Sequence, residues 1–142
     1  MRVHASCVAI EGRGILLRGP SGSGKSDLAL RLLDGGARLV ADDQVELSLD
    51  GDRVVARAPA ALAGLLEVRG IGIVAVPAVA AAPLALLVDL VPGHAVERLP
   101  EPDRDVLLGV AIPRVMVDPG PPSAAAKIRL AVDVGGREML PE

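Results

Sequence analysis

An α/β fold built on a mixed, hairpin-rich sheet is predicted by three observations. A short apolar run, Gly14–Arg18, leads through a glycine-rich turn into a helical pattern. Two pairs of strand-like runs are separated by tight turns, one at Glu11-Gly12-Arg13-Gly14 and one at Asp50-Gly51-Asp52. Further apolar runs are too short for helices and are bounded by Gly, Pro and Asp.

Each element follows from its residues. Val3 to Ile10 reads as a first strand, forming a hairpin with Gly14–Arg18. Ser26–Asp34 has helical periodicity and is closed by Gly35-Gly36. Ala37–Ala41 is a buried strand ending at Asp42-Asp43. Val45–Leu49 and Arg53–Arg57 alternate in polarity and form a second hairpin. Ala60–Leu66 reads as a short helix or turn. Val68–Ile73 reads as a loop, with Gly70 and Gly72 bracketing an isoleucine. Leu84–Leu90 is a strand, and Pro92 to Arg104 is a polar, proline-rich surface loop. Val106–Val117 contains a strand interrupted by Pro113. Ser123–Val134 is a final helix, with Ser123 as its N-cap and Gly135-Gly136 as its stop.

The 142 residues are expected to form a single domain over 1–142. Phe, Tyr and Trp are absent, so the core must be aliphatic and no ring can stack on a base. With a net charge of -3 and no basic block, nucleic acid is not an expected partner. The one cysteine, Cys7, excludes an intrachain disulfide and a cysteine-based zinc cluster. The apolar stretch from Ile71 to Leu90 is broken by Pro77 and Pro83 and carries Asp89, so it fits two buried strands better than a membrane span. No signal peptide is evident, and a cytoplasmic protein without membrane contact is expected.

The glycine-rich turn is Gly19-Pro20-Ser21-Gly22-Ser23-Gly24-Lys25-Ser26. It fits G-x-x-x-x-G-K-[ST], the phosphate-binding P-loop, with a strand before it and a helix after it. Its glycines let backbone N–H groups turn toward an anion, and the helix N-terminus adds partial positive charge. Lys25 can reach the β- and γ-phosphates, and the Ser26 hydroxyl can take one Mg²⁺ position. ATP and Mg²⁺ are the expected cofactors.

A phosphate cradle needs a carboxylate for the metal and a base for the acceptor. Asp42 and Asp43 stand where a strand end approaches the P-loop. Adjacent carboxylates on extended backbone point to opposite faces, so one can meet the phosphate while the other supports the loop or the metal. Glu67 and Arg69 share a face of an extended segment. They suit a metal ligand and a phosphate clamp, and alone they suit a surface ion pair equally well. His4, beside the P-loop strand if the first hairpin forms, reads alone as an ordinary strand histidine. Arg98 reads alone as a loop charge.

Together these segments resemble the catalytic domain of HPr kinase/phosphorylase. The strand with His4, Gly19–Ser26, Arg38–Asp43 and above all Leu66-Glu67-Val68-Arg69-Gly70-Ile71-Gly72-Ile73 carry the resemblance over roughly residues 3 to 118. It implies a nucleotide-binding core like that of phosphoenolpyruvate carboxykinase. It also implies a kinase that phosphorylates a serine of HPr, a phosphotransferase-system carrier, and can reverse the step by phosphorolysis. Asp43 would then be the base, supported by His4. Lys25 would hold phosphates, Ser26 and Glu67 would bind Mg²⁺, and Arg98 would contact phosphate at the transfer site. Asp42 and Arg69 would support these groups.

The chain resembles the short alphaproteobacterial form, without the family's N-terminal domain. Asp118–Leu130 lacks the family's sequence linked to dephosphorylation, so weak or conditional phosphorylase activity is expected. The shortened tail implies a weakened form of the family's homo-oligomer. Two other classes stay open on the residues alone: a small-molecule P-loop kinase, and a non-catalytic module that responds to nucleotide. A GTPase is not expected, because no Asn-Lys-x-Asp sequence occurs.

Overall fold

A computed structural model of the chain describes residues 1–135. Its centre is β9 (Ala82–Leu90), an almost wholly apolar strand that pairs with three others. Its first residues pair antiparallel with β6 (Arg53–Arg57). From Leu84 onward it runs parallel to β3 (Arg13–Arg18), and its last four residues run parallel to the end of β11 (Val110–Val117). The order continues from β3 to β2 (Ser6–Ile10) and β4 (Arg38–Ala41), and from β6 to β5 (Gln44–Asp50) and β1 (Arg2–His4). β10 (Asp103–Leu107) pairs with β11, so nine strands make one mixed sheet among the described residues.

Two helices cover one face. In α1 (Lys25–Asp34), Leu28, Ala29 and Leu32 recur at helical spacing and are buried. They meet Ile15, Leu17, Leu86 and Val88 from the sheet and Ile128 from α2 (Ala124–Gly135). Gly35 stops α1 by donating its N–H to the carbonyls of Arg31 and Leu32. On the other face, Cys7, Leu16 and Leu87 pack against Val45, Leu47, Val54 and Ala56, because β5 and β6 curl over the sheet. Both cores are aliphatic, and each fully buried Leu or Ile contributes about 1.5–3 kcal/mol. No helix among the described residues is long and apolar enough to cross a membrane.

The two expected hairpins are present, as β2–β3 and β5–β6. Several expectations need correction. The first strand breaks at Ala5, and β1 pairs with β5 instead of continuing into the hairpin. Val68–Ile73 is less of a loop than expected: only Arg69–Ile71 form a turn, and the ends of the segment are strand. It joins β7 (Leu65–Val68) and β8 (Gly72–Ala75) in a second small sheet, and the expected short helix or turn over Ala60–Leu66 is a 3-10 turn confined to Ala60–Leu62, with Leu65 and Leu66 in β7. β8 is not buried either, since Ile73 is 71% exposed. Pro113 does not interrupt its strand: the ladder to β9 begins one residue later at Arg114, so the missing N–H falls at its start. The final helix includes Gly135, and the expected stop at Gly136 lies outside the described residues.

Cys7 is fully buried, and burial pushes its thiol from an ordinary 9.0 up to about 12. A thiol-labelling reagent should therefore leave the folded protein unmodified at pH 8 and label it in denaturant. Because the folded value is raised, the associated stability is present below pH 9.0 and is lost as the pH climbs toward 12. Labelling of the native chain at the denatured rate would contradict this burial.

Candidate active site

The ends of β1, β3 and β4 and the β7–β8 hairpin converge on a cleft of about 860 Å³. The floor is the segment joining β3 to α1. It turns at Ser23, whose N–H donates to the Pro20 carbonyl at 3.0 Å. It enters the helix through Gly24, which has a left-handed φ of 98° that a side chain would disfavour. Lys25, only 7% exposed, folds back over this segment. Its Nζ donates to the carbonyls of Gly19 at 2.5 Å and Pro20 at 2.9 Å. Burial lowers the lysine's pKa, and the nearby charges of Asp43 and Asp42 partly oppose that shift. Ser21, Gly22, Gly24, Lys25 and Ser26 line the cleft, whereas Pro20 and Ser23 line a smaller cavity behind it.

Asp42 and Asp43 do separate, but not through strand alternation. β4 ends at Ala41, and the chain bends at the pair, with Asp43 in the left-handed region at φ 68°. A non-glycine residue there is uncommon, and such conformations concentrate at functional sites. The bend sends Asp42 inward, where it is 6% exposed. Its Oδ1 accepts from Ser26 Oγ and from Ser6 Oγ, both at 2.8 Å. Its Oδ2 accepts from the Glu67 backbone N–H at 3.3 Å. One buried carboxylate thus ties together the P-loop serine, β2 and β7.

Asp43 turns outward into the cleft. Its Oδ1 lies 2.6 Å from His4 Nε2, with both side chains about half exposed or more. His4 arrives by a different route from the one expected. β1 is not beside β3; the chain crosses under Asp43 at Ala5, whose N–H donates to the Asp43 carbonyl at 3.2 Å.

The opposite wall is the β7–β8 hairpin. Glu67 faces Ile73 across the pair, and Arg69 occupies the turn; all three line the cleft. No Glu67–Arg69 ion pair forms among the described residues. Arg98 is not brought to the cleft lining. It lies exposed in the loop between β9 and β10.

Two groups of residues were missed. Ser6 is the polar exception in a buried strand, and that exception was the available signal. Asp89 closes the apolar run from Leu84, a pattern that often brings a carboxylate beside a phosphate loop. Here it is committed elsewhere. Arg18 grips both of its oxygens at 2.7 and 3.1 Å, and Arg114 Nε adds a bond at 2.6 Å. Arg18 also reaches Asp105 at 2.9 Å, which holds the Asp105 carboxyl below its usual range. This cluster anchors the residue immediately before Gly19.

The donor set suits a hard cation. It consists of the Ser26 hydroxyl and the Glu67 carboxylate in the cleft, with Asp42 behind Ser26 and no compact group of three His, Cys, Asp or Glu among the described residues. Mg²⁺ is commonly held by one or two carboxylates plus substrate phosphates, so these residues fit it as a partner of bound nucleotide.

The profile of the HPr Serine kinase C-terminal domain matches residues 1–128. HPr kinase/phosphorylase of Clostridium acetobutylicum is 49% identical over 77 residues, which is 54% of this chain and 25% of that protein. HPr kinase/phosphorylase of an Exiguobacterium species is 51% identical over 73 residues, 51% of this chain and 24% of that protein. The match thus spans about a quarter of the length of these relatives. A solved structure of the Hpr(Ser) kinase/phosphatase from Coxiella burnetii superposes with a TM-score of 0.83 at 26% identity, covering 94% of each chain.

Proposed function

The chain belongs to the HPr Serine kinase C-terminal domain family, and on that premise we propose that it transfers the γ-phosphoryl group of ATP to a serine of HPr or a related carrier. One observation supports this reading above the others: the Asp43–His4 pair faces the same cleft as Lys25 and Ser26. A module that only binds nucleotide has no use for a carboxylate set against a histidine at that point.

The geometry supports most of the following proposed roles. The loop Gly19–Ser26 holds the phosphates, with Lys25 swinging its charge from the loop carbonyls toward the β- and γ-oxygens. Asp43 accepts the proton of the attacking serine, and His4 fixes the orientation of that carboxylate. Ser26 and Glu67 are the proposed Mg²⁺ ligands, with Asp42 aligning Ser26 from behind. When bound, the ion neutralises charge on the phosphate oxygens as transfer proceeds. Arg69 clamps phosphate from the hairpin turn. Arg98, exposed outside the cleft lining, is proposed to meet phosphate once a carrier is docked. Phosphorolysis would run the same step backward, with Asp43 returning the proton; it is expected to be weaker than the kinase direction. A cytoplasmic location and a homo-oligomer belong to the same proposal.

Labelled ATP, Mg²⁺ and HPr should give labelled carrier, while small hydroxyl acceptors should not be labelled. Label on a small acceptor and none on HPr would favour a small-molecule kinase.

Glu67 and Arg69 can be separated. Glu67→Gln should raise the Mg²⁺ concentration for half-maximal activity by roughly tenfold, about 1.4 kcal/mol of ion binding. Arg69→Lys should lower activity without a comparable change in Mg²⁺ requirement, because a point charge does not replace a bidentate fork. Wild-type-like Mg²⁺ titrations of both variants would remove both residues from the site.

A further inference from the structure

The connection between β11 and α2 is held against the glycine-rich loop by one side chain, Arg31 of α1. Asp118 shapes the bend, its Oδ1 accepting the Gly120 N–H at 2.9 Å. Pro119 then stands beside Gly24: a side-chain carbon placed on Gly24 would just reach ordinary contact with the proline ring, at 3.5 and 3.6 Å. Arg31 fixes this arrangement with its two terminal nitrogens. Nη2 donates to the Pro119 carbonyl at 2.5 Å, and Nη1 donates to the Pro121 carbonyl at 3.2 Å. Nε faces Asp27 Oδ2 at 3.3 Å, on the same helix.

The contact matters because the loop packs on Leu90 of the core only near Gly19, and a hollow lies beside Pro20 and Ser23. A cavity of about 290 Å³ separates Pro20 and Ser23 from Leu90–Pro92 and Asp118. The Ser23 hydroxyl is buried there without a partner. Pro119 borders this hollow and is the neighbour of the loop at the place where it becomes helix. Gly24 is that place, and its left-handed φ sets the direction of the N–H groups that follow.

We propose that Arg31 is a positioning residue for the phosphate loop, acting through Pro119. By holding two carbonyls of the following connection, it keeps the proline ring on Gly24 and the helix-entry N–H groups in register for the nucleotide phosphates. Two carbonyls held at once by one side chain suit the two terminal nitrogens of a planar fork, which lysine lacks. The inference rests on the reading of Gly19–Ser26 as a nucleotide site.

The test is calorimetric titration of Mg·ATP into the full chain at a temperature where circular dichroism shows every variant folded. Arg31→Gln and Pro119→Ala should each weaken binding roughly tenfold, about 1.4 kcal/mol. Arg31→Lys should not restore it. Should Arg31→Gln fail to fold, Pro119→Ala decides the matter, because it leaves both carbonyls in place for Arg31. Simple destabilisation lowers the melting temperature but leaves the affinity of the folded state unchanged. Wild-type binding with both variants within twofold would overturn the positioning role alone. Absence of Mg·ATP binding by the wild type would overturn the nucleotide reading and the inference with it.

Discussion

Replacing Asp43 by asparagine is expected to leave ATP binding nearly unchanged and to slow phosphoryl transfer by roughly 10²–10⁴-fold, the usual weight of a general base. The variant is well suited to the question. Asn tolerates the left-handed backbone that Asp43 adopts at φ 68°, so the bend should persist. It keeps an oxygen for His4 but cannot take a proton. The neighbouring Asp42→Asn should behave differently. Asp42 is buried and accepts from Ser6, Ser26 and the Glu67 N–H, so its loss should disturb stability and Mg²⁺ dependence. Steady-state transfer, with ATP affinity measured separately, distinguishes the two. A mild Asp43→Asn and a severe, purely chemical Asp42→Asn would reverse the assignment.

Lys25→Ala is expected to bring transfer below detection and to weaken nucleotide binding. The loss should exceed the roughly 10²–10³-fold that one electrostatic donor commonly carries, because Lys25 does two things. In the proposed mechanism it supplies the charge for the phosphates, and it also holds the loop through the Gly19 and Pro20 carbonyls. Its removal leaves those carbonyls without their donor and the loop less shaped. The fold itself should survive, since burial already works against the lysine's charge. Titration of nucleotide into folded wild type and variant checks this. Unchanged turnover would remove Gly19–Ser26 from the mechanism.

What was legible in the sequence was mostly local. The β3–loop–α1 unit, both hairpins and the strand ending at Leu90 follow from short-range periodicity and turn chemistry. What was not legible depends on distant pairing. β1 leaves the first hairpin at Ala5 because Arg2–His4 finds Gln44–Glu46 as its partner, some forty residues away. The β7–β8 hairpin was hidden because its turn glycines read as loop, and because Ile71 and Ile73 face outward where apolar residues suggest burial. Pro113 is tolerated only because β9 takes up its partner strand from Arg114 onward.

The candidate site divides the same way. The loop and the Asp42–Asp43 pair stand out by spacing. Their separation into a buried organiser and an exposed carboxylate required the left-handed turn at Asp43, which no residue pattern announced. Ser6, and the commitment of Asp89 to Arg18 and Arg114, arise from contacts between strands far apart in the chain.

The most direct measurement is peptide mapping by mass spectrometry of HPr after incubation with the protein, ATP and Mg²⁺, alongside the Asp43→Asn variant at matched ATP occupancy. The account predicts phosphate on a single serine of the carrier with the wild type, and a trace at most with the variant. Unmodified carrier in the presence of ATP-saturated wild-type protein would contradict it, as would equal phosphorylation by the variant.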